Sequence, residues 1–118
     1  MKAQIRKLVS PDLLDLEAES PSDPEDFCIL IQMIAGPSDG PGEESFDFLV
    51  CTPSWIASVV DRERFLFGRN YLIVQYYDYR LISEQLNRLC QRISGKDWTE
   101  IAHKLNRFGH WEFEDYKP

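Results

Sequence analysis

The sequence predicts an α+β protein, a mostly antiparallel sheet with about three helices packed on one face. Three observations predict it. Short β-rich runs and period-two alternation dominate the first 51 residues. Helical spacing of apolar residues begins only after Thr52. The resulting order is β, β, β, α, β, α, α, β, and runs of strands followed by helices place the helices together against an antiparallel sheet. At 118 residues the chain fits one domain, 1–118, with enough length to bury a core.

AQIRKLV, residues 3–9, alternates loosely and reads as the first strand. SPDLLDLEAESPSDPED follows, where Pro11, Pro21 and Pro24 exclude a regular element, while Leu13, Leu14 and Leu16 predict that part of it folds back onto the domain. FCILIQMIAG, residues 27–36, is almost wholly apolar, which suits a central strand covered on both faces. After the loop GPSDGPGEE, SFDFLVC at 45–51 sets Phe46, Phe48 and Val50 against Asp47, Leu49 and Cys51, predicting a hairpin or meander.

Thr52-Pro53-Ser54 is a helix start, a hydroxyl able to cap followed by proline at the first helical position. Trp55, Ile56, Val59 and Val60 continue at helical spacing, and a basic connector closed by Gly68 ends the helix. YLIVQYY, 71–77, predicts another inner strand. Asp78 is positioned as an N-cap and Gly95 as a C′ glycine around a helix whose stripe is Ile82, Leu86, Leu89 and Ile93. Asp97-Trp98-Thr99-Glu100 has the capping-box pattern; Trp98, Ile101, Ala102, Leu105 and Phe108 form the next stripe, stopped by Gly109. HWEFEDY, 110–116, returns to period two and predicts a final short strand, with Trp111 and Phe113 inward and Glu112, Glu114 and Tyr116 outward. Trp55 and Trp98 are expected in the core.

Charge narrows the function. The formal net charge is −7, so nucleic acid and anionic membranes are poor partners. Between Leu8 and Asp61 there is no lysine or arginine, yet twelve acids fall there. A solvated face explains an ordinary acidic run, but a half-chain without one cation projects a field that steers a basic partner. No apolar run approaches the roughly 18 residues a membrane helix needs, and the N-terminus has no apolar leader core. Cys28, Cys51 and Cys90 are odd in number and set among apolar neighbours, the pattern of free thiols in a reducing compartment. A cytoplasmic protein is expected.

Catalytic signals are weak. No zinc, nucleophile-elbow, phosphate-loop or dinucleotide motif occurs, and no metal or cofactor is expected. His103 reads as a surface or half-buried helix residue and His110 as a capping or turn residue. Glu112 and Glu114, two apart on one strand face, are the best enzymatic pair, as in a small carboxylate-based hydrolase. An acidic pair on an edge strand is more often its wet face, where charge discourages aggregation. A generic acidic adaptor domain is a further alternative.

Several stretches together resemble one family. FDFLVCTPSW, DWTEIAHKLNR and HWEFEDY, with KAQIRKLVSPDL and GPGEESFDF, are similar to immunity protein family 8 of bacterial polymorphic toxin and contact-dependent inhibition systems. The motif residues are Cys51, Thr52, Pro53 and Trp55, then Trp98, Ile101 and Leu105, then Trp111, Glu112, Phe113 and Tyr116. The resemblance implies a non-enzymatic α+β protein that binds a toxin's C-terminal domain and blocks it. Such domains are often nucleases, whose basic surface an acidic inhibitor would match. Pro53, Trp55, Trp98, Trp111 and Phe113 read as structural. The toxin-facing residues are expected in the acidic segments: Asp12, Asp15, Glu17, Glu19, Asp23, Glu25 and Asp26; Asp39, Glu43 and Glu44; and Glu112, Glu114, Asp115 and Tyr116 of the tail. The basic stretch Arg62–Arg69 offers a rival surface, and an exposed strand edge leaves self-association open.

Overall fold

The computed structural model describes residues 1–117. Its elements are β1 (Ala3–Val9), β2 (Cys28–Pro37), β3 (Glu44–Cys51), α1 (Pro53–Glu63), β4 (Tyr71–Ile73), α2 (Tyr79–Arg92), α3 (Trp98–Leu105) and β5 (His110–Trp111). β1, β2 and β3 form an antiparallel meander. The far edge of β3 is shared: β4 runs parallel to its end, and β5 antiparallel to its start. The fold is α+β, as the order of patterns predicts.

Alternation decides which face is buried. Ile29, Ile31, Met33 and Ala35 of β2 and Phe46, Phe48 and Val50 of β3 lie on the core side, in register as Ile29–Val50, Ile31–Phe48 and Met33–Phe46. Fully burying each large side chain contributes about 1.5–3 kcal/mol. The expectation that β2 is covered on both faces needs correcting, because Cys28, Leu30, Gln32 and Ile34 on its other side are only half-buried.

Against the core face lie α2, through Ile82, Leu86 and Leu89, and α3, through Ile101, Ala102 and Leu105. Both N-caps are as the sequence implies. The Asp78 carboxylate accepts from the Leu81 N–H at 3.2 Å, and that of Asp97 from the Glu100 N–H at 2.8 Å. Gly95, however, is no C′ glycine: α2 ends on an extended Ile93. A side chain at Gly95 would press on Glu100 and Ile101 instead.

Helix α1 stands apart. Its one buried residue, Val59, lies outside the main core, and Trp55 packs 6.2 Å from Tyr71. Trp55 is therefore half-buried rather than a core residue. Thr52 does not cap α1 either. It is fully buried, and its hydroxyl accepts from the Phe27 N–H at 3.2 Å, tying the end of β3 to the start of β2. Arg64, in the left-handed conformation at φ 77°, closes the helix in place of Gly68.

Two strands are shorter than period-two alternation suggested. β4 keeps only three residues of 71–77, on the sheet edge, leaving Ile73 and Tyr76 exposed. β5 stops after Trp111, and residues 112–115 turn. Gly109 permits this close return. A β-carbon there would lie 2.5 Å from the Phe48 ring, so its missing side chain serves packing.

Candidate protein-binding surface

The acidic segment between β1 and β2 has no regular structure, yet its own carboxylates shape it. Asp12 Oδ2 accepts from the Leu30 N–H at 2.8 Å. Asp15 Oδ1 accepts from the N–H groups of Glu17 and Ala18, both at 3.0 Å, while Glu19 returns a bond to the Asp15 N–H. Asp23 Oδ1 accepts from the Glu25 N–H at 2.9 Å. Short acidic side chains favour such turns because they hydrogen-bond backbone two or three residues on. Leu16 anchors the segment: it is buried, and its carbonyl accepts from the Tyr77 hydroxyl. Leu14 does not fold back as expected, being wholly exposed.

These turns wall a groove of about 490 Å³ with the start of β2 and with Trp55 of α1. Asp12, Asp23 and Asp26 line it beside Leu13, and no cation does. An acidic rim around a half-exposed indole suits a cationic side chain, drawn by charge and packed against the aromatic face. The Cys28 thiol also opens here. Burial first, then the Asp12 charge, pushes its pKa up, so it is a poor nucleophile.

The second acidic segment divides by role. Asp39 and Glu43 are exposed on a loop that Arg6 clasps, its guanidinium donating to the carbonyls of Pro37 and Gly40 at 2.7 Å. Arg6 is the extra residue of a bulge in β1, which turns its side chain to this task. Glu44 is half-buried and differently employed: its Oε1 accepts from Trp98 Nε1 and Trp111 Nε1.

The tail departs furthest from expectation. Glu112 and Glu114 do not share a strand face, because the strand ends before them. Glu112 extends the β3 pairing, its carboxylate accepting from the Ser45 N–H at 2.9 Å. Glu114 is not turned outward. It pairs with Arg69 at 2.7 Å and with His110 Nε2 at 2.8 Å, and Asn106 Nδ2 reaches it at 3.3 Å. The Arg69 hydrogen bond, foremost, holds its carboxyl below the usual glutamate value. Arg69 also donates to the Asn106 carbonyl, whose side-chain oxygen accepts from the Trp111 N–H. The two acids thus have separate partners. Phe113 packs edge-on against Trp111 but remains partly exposed, and Tyr116 meets it edge-on in turn, beside the exposed Asp115.

Of the expected binding residues, Asp12, Asp23 and Asp26 come together in the groove, while Glu44 and Glu112 meet where the start of β3 joins the tail. Among the described residues, none of the twelve acids between Leu8 and Asp61 takes part in an ion pair; the four Lys and Arg pairs and the His110–Glu114 contact all involve acids outside that window. The rival basic stretch is partly neutralised, Arg62 by Glu63 and Arg69 by Glu114. Sequence reasoning missed the anchoring by Arg69 and Asn106. It also missed the exposure of Phe65 and Phe67, whose rings meet edge-on at 5.7 Å. Among the described residues no His, Cys, Asp and Glu cluster is arranged to hold a metal, and no helix is long and apolar enough to cross a membrane.

No curated protein and no solved structure matches the chain significantly. A family model does: immunity protein 8 matches residues 3–116, from the first residue of β1 to the tyrosine of the anchored tail. That span takes in the sheet, all three helices and the groove, and by it the chain belongs to the immunity protein 8 family.

Proposed function

We propose that this immunity protein acts in the cytoplasm, binding the C-terminal domain of a cognate toxin, a basic nuclease, and blocking it without chemistry of its own. The observation that carries the reading is the unneutralised acidic half of the chain. Among the described residues none of its twelve carboxylates enters an ion pair, and three of them, Asp12, Asp23 and Asp26, line a groove with an aromatic wall. A nuclease must be positive where it meets phosphate, so the same surface attracts this protein. The field orients the encounter and raises the association rate; Trp55 and the apolar groove wall then slow dissociation.

The experiment is co-expression with the C-terminal domain of the product of the adjacent upstream gene, reading growth and co-purification, followed by association rates across ionic strength. Rescue with a one-to-one complex and an on-rate that falls steeply with salt is expected. Rescue with a salt-independent on-rate would remove the acidic-surface mechanism while keeping the immunity role. Toxicity without rescue would remove both.

A further inference from the structure

The far edge of β3 is paired at Leu49–Cys51 by β4 and at Phe46–Asp47 by β5, which leaves Phe48 between the two pairings. There the edge opens into a cleft of about 280 Å³. Phe48, Leu72, Leu86 and Leu89 give it an apolar lining from the sheet and α2. Beside the neutral Asn70 and Gln85, its charged lining is cationic: Arg69, Arg92 and Arg107 contribute, and no acid does. Among the described residues Arg92 and Arg107 enter no ion pair, and both are exposed. Arg69 already holds a carboxylate, that of Glu114 beside Phe113. Glu114 lies outside the cleft lining, so the pairing accounts for Arg69 and leaves two guanidiniums at the cleft without a carboxylate.

We propose that this cleft binds a small amphipathic carboxylate, its apolar body against Phe48 and the three leucines and its carboxylate between Arg92 and Arg107. An exposed guanidinium alone holds an anion weakly, because water screens the pair. An apolar cavity beside it changes the balance, since burial of the body supplies affinity and the planar fork fixes the charged end. The cleft shares no lining residue with the acidic groove, so this site is independent of the toxin-binding reading.

The test is an amide NMR titration of the full chain with octanoate, acetate and octylammonium, which separates the apolar body from the charge. Octanoate should give saturable shifts confined to residues around Phe48, Leu72, Leu89 and Phe108. Acetate and octylammonium should leave them unmoved at equal concentration. The double variant R92Q/R107Q should weaken octanoate binding by at least about tenfold with an unchanged melting temperature. Three results would each overturn the site: no saturable shift with octanoate, the same shifts with octylammonium, or equal affinity in the variant. The octylammonium comparison uses the unaltered protein, so it decides the sign of the charge even if the variant misfolds.

Discussion

Glu44 Oε1 accepts from two indoles at once, Trp98 Nε1 at 2.8 Å and Trp111 Nε1 at 3.0 Å. One carboxylate oxygen at the start of β3 thus joins the first turn of α3 to β5. The same contact closes the aromatic group around Phe46, whose ring stacks 6.5 Å from Trp111 and meets Trp98 edge-on. An acid expected to face a partner instead holds the last two elements on the sheet.

Replacing Glu44 by Ala should therefore cost about 2 kcal/mol, since two part-buried donors lose a charged acceptor. Gln keeps the oxygen and should recover much of the loss. Urea unfolding of E44A and E44Q measures both, with E43A, an exposed neighbour, as a control expected within about 0.5 kcal/mol of the parent. Equal stability of E44A and E43A would exclude the bridge.

Gly109→Ala should destabilise by about 1–3 kcal/mol, because the added carbon meets the buried Phe48 ring at 2.5 Å. Gly68→Ala provides the contrast, having open space around it and no left-handed backbone. Thermal unfolding should separate the two variants by several degrees.

The tail should detach in acid. The Arg69 hydrogen bond lowers the folded pKa of Glu114 below its ordinary value of 4.5. A depressed carboxylate stabilises the attached state fully above that ordinary value, and the contribution is lost as pH falls through the lower folded one. Fluorescence of Trp111 and tail amide shifts should change in that window below pH 4.5. In E114Q the tail signals should lose this titration; an unchanged titration there would assign it to another acid.

Charge and stability should separate in the groove. D26N removes a groove carboxylate that no backbone N–H uses among the described residues and should slow toxin association about two- to fivefold at low salt with little change in melting. D12A should also destabilise by about 1 kcal/mol, because the Leu30 N–H loses its acceptor. Stopped-flow association and thermal unfolding of the pair distinguish the two roles.

Thiol reactivity should follow burial. Cys51 and Cys90 are buried, with pKa pushed up to about 11, and Cys28 is raised as well. At pH 8 a disulfide reagent should modify the native protein slowly, at the half-exposed Cys28 first, and all three thiols at once in denaturant. Fast reaction at Cys90 in the native state would mean that α2 opens.

The sequence by itself determined what short-range physics controls. Alternation placed Ile29, Ile31 and Met33 on the same side as Phe46, Phe48 and Val50 once paired, and carboxylates three residues before an N–H made Asp78 and Asp97 caps. The motif stretches carried the family, and the charge window was plain in the order of residues. The tertiary structure alone decided what depends on distant partners. Whether an acid is a surface charge or a brace depends on what lies 54 or 67 residues away, as with Glu44 and its two indoles. Glu114 is drawn inward by Arg69, 45 residues earlier, and Thr52 spends its hydroxyl on Phe27 rather than on its own helix. Period two in HWEFEDY promised a strand, but a strand persists only while a neighbour supplies hydrogen bonds, and past Trp111 Arg69, Asn106 and His110 hold the chain by the Glu114 side chain in a turn.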